Sequence, residues 1–255
     1  MLPRGWSARP APRRRQEEGR QLSRRADRSG GLNWHLRALA RRGKLWRPFR
    51  DELATFLARW QPMTRTLILA GPSAGWCLPS EFLTRFDRIM AVDPDPWAQL
   101  LFRRLHPEAR VGAWLKGDFF AVAPDLLAAE PDAAILFCNM LGQLRFAGRD
   151  AAETDQLIAG IAPLLTGRSW ASFHELLSGE TDNSPRCLSL AGRPHHEALL
   201  KQLGLAGEWL DHAASHVLPQ TMPREIVPWR FAPGRVHLVE LGIGGGPEPF
   251  TAQPS

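Results

Sequence analysis

The sequence predicts an α/β protein built on a mostly parallel sheet, and three observations predict it. Over residues 66–173, short apolar runs alternate with stretches of helical periodicity, the pattern of βαβ units. The first run, Leu67-Ile68-Leu69-Ala70, leads directly into the glycine-bearing string Gly71-Pro72-Ser73-Ala74-Gly75. Near the end of the chain, residues 225–231 and 235–241 flank Ala232-Pro233-Gly234, a hairpin signal that closes the series with antiparallel strands.

The elements follow in order. Residues 32–42 and 48–60 carry apolar side chains at helical spacing, with Phe49, Leu53, Phe56, Leu57 and Trp60 on one face of the second stretch and Pro48 suited to its first turn. These two helices are expected to cover an edge of the domain. Strands are expected at 66–70, 88–92, 110–115, 133–138 and 169–173, with helices near 79–86, 96–105, 124–130 and 151–164. The 66–70 strand should be central, with 88–92 and 133–138 beside it. With the hairpin, the sheet has seven strands. Residues 175–192 are polar and turn-rich, and 194–203 read as a helix.

At 255 residues and 44% apolar content, the chain can bury one large core. The expected organisation is a disordered, arginine-rich arm over 1–30, a single domain over 31–242 whose first part, 31–62, is helical, and a flexible tail over 243–255. The arm holds nine arginines against Glu17, Glu18 and Asp27, an excess equal to the entire formal net charge of +6. The remainder is therefore balanced, and a nucleic-acid-binding face on the domain is not expected. No run of about 18 apolar residues occurs, so no membrane span is expected and a cytoplasmic protein is the reading. Cys77, Cys138 and Cys187 are odd in number, far apart and outside any CxxC, which suggests neither a disulfide framework nor a zinc site. His195-His196-Glu197 reads as helix surface, and no metal is expected.

The turn at 71–75 lets backbone approach a ligand and aims helix N-terminal amides at it. A second apolar strand ends in Asp93, eighteen residues after Gly75, where a carboxylate can take both hydroxyls of a ribose. Asp93 also begins Asp93-Pro94-Asp95-Pro96, a turn sequence in its own right. Lys116-Gly117-Asp118-Phe119-Phe120 follows the third strand, and Asn139-Met140-Leu141-Gly142-Gln143 follows the fourth.

This series resembles the class I, Rossmann-like S-adenosylmethionine-dependent methyltransferases: a glycine-rich turn, an acid after the second strand, Gly-Asp after the third and a polar residue leaving the fourth. The resemblance covers residues 66–173, and the terminal hairpin agrees with it. It implies S-adenosylmethionine as cofactor, with Gly71, Ser73 and Gly75 beside its methionine moiety, Asp93 on the ribose, Asp118 on the adenine amino group and Phe119 lining the adenine pocket. Asn139 would face the methyl-transfer region, and His174, leaving the fifth strand, would serve as acceptor-binding group or base. Two departures stand out: Ser73 replaces the usual third glycine, and Leu69 stands where members carry an acid. Asn139 is not followed by the Pro-Pro-aromatic string of many base-modifying members, so the expected acceptor is a small molecule. The oligomeric state is open. A non-catalytic binding protein of the same fold is the alternative. A third reading takes residues 71–75 as the G-x-S-x-G elbow of a serine hydrolase, with Asp182 or Asp211 and His212, His216 or His237 as partners.

Overall fold

The computed structural model describes residues 31–147, 151–214 and 216–245; the arm at 1–30 and residues 246–255 of the tail lie outside them. Along the chain the elements are α1 (Gly31–Arg41), α2 (Arg47–Arg59), β1 (Thr66–Ala70), α3 (Ser80–Leu83), β2 (Arg88–Val92), α4 (Ala98–Leu105), β3 (Val111–Leu115) and α5 (Phe119–Ala129). They continue with β4 (Ala134–Cys138), a 3-10 segment (Leu141–Ala147), α6 (Ala151–Leu165), β5 (Trp170–Glu180), β6 (Leu188–Leu190), α7 (His196–Gln202), β7 (Trp209–Asp211), β8 (Arg224–Ala232) and β9 (Arg235–Gly244).

The sheet runs β3-β2-β1-β4-β5-β9-β8-β6, with β7 paired to β5 off this path. Pairings among β1 to β5 are parallel, and β1 lies between β2 and β4 as its apolar run predicts. The chain thus winds outward from β1 in both directions. The crevice where it reverses lies at the carboxyl ends of β1 and β4, the place where open α/β sheets hold ligands. This is a Rossmann-like α/β fold, a mostly parallel sheet completed by the antiparallel β8–β9 hairpin.

Alternation along the strands divides the core. Leu67 and Leu69 of β1, with Leu136 of β4, pack toward α1 and α2; Ile68 and Ala70, with Ile135 and Phe137, pack toward α5 and α6. An aromatic cluster seats α1 and α2 on the hairpin: Trp46 packs edge-on against Trp229 at 5.0 Å, Phe49 stacks on Trp229 at 5.0 Å, and the Trp46 indole donates to the Phe231 carbonyl at 3.1 Å.

Seven expected strands are present, and two three-residue strands extend the sheet. The larger departure is β5, which runs through the polar stretch expected to be a turn and stays buried to Gly179. Its polar residues are tolerated because they bond one another inside the fold, as described below. β4 ends at Cys138, and beyond it β7 takes the vacated edge of β5 through the Leu177, Ser178 and Gly179 pairings. Gly142 lies beneath this crossing: a Cβ there would stand 2.5 Å from the Glu175 carbonyl oxygen and 2.7 Å from its amide nitrogen, both backbone atoms. Gly142→Ala is therefore expected to destabilise the protein by about 1 to 3 kcal/mol, read as a lower urea midpoint at unchanged slope.

Candidate functional site

The site begins where β1 ends. Gly71 and Gly75 take φ of +66° and +68°, and Ser73 takes +49°. Ser73 thus adopts a left-handed backbone that glycine would take without strain, at the modest expense an L-residue incurs there. Packing reinforces the demand for glycine, since a Cβ on Gly75 would lie 2.8 Å from both His106 Nε2 and Phe102. The turn is held from the neighbouring strand: Ser73 N donates to Asp93 Oδ2 at 2.6 Å, while Asp93 Oδ1 accepts from Asp95 N at 2.8 Å. Burial pushes the Asp93 carboxyl up to about 6, against these two hydrogen bonds, which lower it.

Asp95 carries the organisation outward. Its Oδ2 accepts from Gly31 N, the first amide of α1, at 2.6 Å, and its Oδ1 from Trp97 N at 2.9 Å. His35 Nε2 lies 3.1 Å from the same Oδ2, without hydrogen-bond alignment, while His35 Nδ1 accepts from Trp76 Nε1 at 2.9 Å. Burial lowers the His35 pKa despite Asp95, which favours the neutral imidazole. Trp34 Nε1 donates to Ser73 Oγ at 3.1 Å. The inner face of α1 therefore sits directly on the turn. Between them remains a cavity of about 50 Å³, walled by Trp34, Trp76, Phe173 and Trp229 on one side and by the turn, Cys138 and Asn139 on the other.

At the β4 tip, Asn139 has φ of +57°, and its amide donates to the Phe173 carbonyl at 2.7 Å. Its side chain is gripped twice by one residue: Nδ2 donates to Glu175 Oε1 at 2.8 Å, and Oδ1 accepts from Glu175 N at 2.9 Å. Gln143 Nε2 donates to Glu175 Oε2 at 2.7 Å. Burial opposes ionisation of Glu175, but His237, His212 and Asn139 together hold its carboxyl below the ordinary carboxylate range. Glu175, His212 and His237 bring ligand-type atoms within 4.8 Å of one another. Hydrogen bonds run through the same group: His212 Nδ1 faces the Gly142 carbonyl at 2.8 Å, and the Ser178 hydroxyl sits between His212 Nε2 at 2.6 Å and His237 Nδ1 at 2.8 Å.

The other residues expected from sequence lie as follows. His174 is fully buried between Ser172 Oγ at 2.9 Å and Glu240 Oε2 at 3.1 Å, and it is Phe173 that reaches the cavity; strand alternation turns the two to opposite faces. Phe119 packs edge-on against Phe137 in the core beneath the sheet, 2% exposed, because it is the first residue of α5 and faces inward. Asp118 is the N-cap of α5, accepting from Phe120 N at 3.0 Å. Ser73 Oγ is engaged by Trp34, whereas His212 and His237 bond Ser178 and His216 bonds Arg193, so the hydrolase constellation does not assemble. Trp34, His35 and Asp95 escape sequence reasoning. The repeated Asp-Pro of residues 93–96 is the one signal that hinted at a second structured carboxylate.

No family model matches the chain, and no curated protein does. Among solved structures, it is similar to a SAM-bound amino pentose methyltransferase from Micromonospora echinaspora, at 16% identity over 85% of this chain and 83% of that one, with a TM-score of 0.37. An N-methyltransferase from Bradyrhizobium japonicum aligns at 12% identity over 76% and 88%, with a TM-score of 0.41. A putative zinc-dependent alcohol dehydrogenase from Rhodobacter sphaeroides aligns at 19% identity over 54% of this chain, which spans 50% of that chain's length, with a TM-score of 0.39. All these scores are low, and the fold class stands on the strand order and register.

The raised Asp93 carboxyl has a consequence for stability. The folded chain holds this proton more tightly than the unfolded chain, so the group's contribution is present below pH 4 and is lost as pH rises toward 6. The loss is expected to be about 3 kcal/mol for this group. Asp93→Asn should remove that component from the pH dependence of urea unfolding.

Proposed function

We propose that this chain is a methyltransferase that uses S-adenosylmethionine and acts on a small-molecule acceptor. One observation carries the reading: a glycine turn at the reversal point of a doubly wound sheet, braced by a buried carboxylate at the tip of the next strand. The donor and acceptor set fits the cofactor. Each Asp93 oxygen uses a lone pair on a backbone amide, which leaves acceptor positions for two ribose hydroxyls. Gly117 N donates to the Asp93 carbonyl at 3.3 Å, bringing the exit of β3, and with it Asp118, alongside. Residues 71–75 would approach the methionine moiety through backbone, and Asn139, locked by Glu175, would border the transferred group.

Bound S-adenosylmethionine supplies an electrophilic methyl group. The protein's part is to position the acceptor and exclude water, for which the apolar walls and the closing helix are suited. Ligand pockets commonly measure about 300 to 1,000 Å³, so the cavity of about 50 Å³ admits the cofactor only after α1 lifts from the turn. The contacts that must yield are those from Trp34 to Ser73 and from Gly31 to Asp95. This closure is also what favours the second reading, a non-catalytic protein of the same fold.

Isothermal titration with S-adenosylmethionine and S-adenosylhomocysteine decides between them. Binding of both is expected; no binding at about 1 mM, a free energy of about −4 kcal/mol, would leave only the non-catalytic reading. Asp93→Ala is expected to weaken S-adenosylhomocysteine binding about ten- to a hundredfold. Asp95→Ala, by releasing α1, should leave the affinity unchanged or raise it.

A further inference from the structure

We propose that Glu175, His212, His237 and the Ser178 hydroxyl form a binding site for a first-row divalent cation of the zinc class, beside the β4 tip. The inference goes beyond the methyltransferase reading and does not depend on it. The four residues lie on segments that the fold makes neighbours: Glu175 and Ser178 on β5, His237 opposite Ser178 on β9, and His212 directly after β7. No spacing in the sequence brings them together.

An irregularity in β5 aims the carboxylate. Residues 175 and 178 are an odd number of positions apart, so a regular strand would turn them to opposite faces. The β5–β9 register shifts between Glu175 and Leu177, and both side chains reach His237: Glu175 Oε2 stands 3.3 Å from His237 Nδ1, and Ser178 Oγ 2.8 Å from the same nitrogen. Register shifts of this kind re-aim side chains and are over-represented beside functional sites.

The cluster has the dimensions of a coordination shell. A zinc-class ion bound at about 2.0 to 2.1 Å holds tetrahedral ligands about 3.3 to 3.4 Å apart. Glu175 Oε2 and His237 Nδ1 are already at that separation, Ser178 Oγ lies 2.6 Å from His212 Nε2, and one ligand atom from each of Glu175, His212 and His237 falls within 4.8 Å of the others. A modest expansion of the cluster seats the ion at its centre.

The outer contacts are those that metal ligands need. The Gly142 carbonyl can only accept, so His212 Nδ1, 2.8 Å away, keeps its proton and leaves the lone pair on Nε2. Asn139 Nδ2 and Gln143 Nε2 each donate to one oxygen of Glu175, which fixes the carboxylate and leaves Oε2 a second lone pair. The Phe231 and Trp229 rings pack on His237 at 4.6 and 5.6 Å, and the side chains of Glu175, His212 and His237 are at most 2% exposed. Two imidazoles select zinc-like ions over magnesium and calcium, and a shell this closed suits an ion that joins β5, β9 and the β7 exit. Through Glu175 the ion would also fix Asn139.

The test uses the full chain, treated with a chelator and dialysed, and compares zinc chloride with magnesium chloride by calorimetry. One zinc ion per chain is expected, with a dissociation constant of about 1 μM or below and a thermal midpoint raised by about 5 °C at saturation; magnesium should do neither. His237→Gln is expected to weaken zinc binding about a hundredfold. His196→Ala, which breaks the more exposed His196–Asp211 pair, should leave it unchanged. Cobalt(II) on the natural chain is expected to show the strong visible absorption of a tetrahedral ion, a readout that decides alone if His237→Gln does not fold. The proposal is overturned by any of four results: no zinc binding at about 100 μM, undiminished binding by folded His237→Gln, binding lost with His196→Ala, or cobalt showing only the weak spectrum of the hydrated ion.

Discussion

The Asp93 carboxylate is the constraint on which the site depends. Its two oxygens accept amides from different segments, Ser73 in the turn after β1 and Asp95 after β2, and so join the tips of adjacent strands. A carboxylate this buried is unfavourable as an ion unless hydrogen-bonded, and the bonds that satisfy it are the same ones that hold Ser73 in a left-handed backbone. Asp95 is thereby placed to receive the first amide of α1. Turn, strand tip and covering helix are thus coupled through two residues two positions apart.

A second buried polar system supports the opposite wall. Glu175 sits where the β5–β9 register shifts, and it collects Asn139, Gln143, His212 and His237 from four other segments. This lets a polar stretch run through the core as strand, since each group that burial would penalise finds a partner there. The Asn139 side chain takes its orientation from that network, while its amide continues the β4–β5 ladder to the Phe173 carbonyl. The aromatic cluster around Trp229 performs the corresponding service on the helical side, where α1 and α2 meet the hairpin.

How far each part was legible follows from the range of the forces involved. Residues 67–70, 89–92 and 134–138 are continuous apolar runs because both faces of a central parallel strand are buried, and that signal is local. The hairpin was equally local, through Pro233-Gly234 between two alternating stretches. β6 and β7 are three residues each and have no periodicity to detect. The continuation of β5 beyond Phe173 was hidden because its polar residues resemble a turn until their partners from β9 and the β7 exit are known.

By itself, then, the sequence determined the α/β class, the central place of β1, the glycine turn and the carboxylate at the β2 tip, all properties of short segments governed by burial and backbone sterics. Tertiary structure alone decided which side chains meet in the cavity. It withdrew His174 to the far face of β5, committed Phe119 to the core, and brought Trp34 and His35 across the turn from a helix about forty residues earlier. Such contacts arise from the docking of α1 on the strand tips and hairpin, a long-range packing that no local pattern encodes.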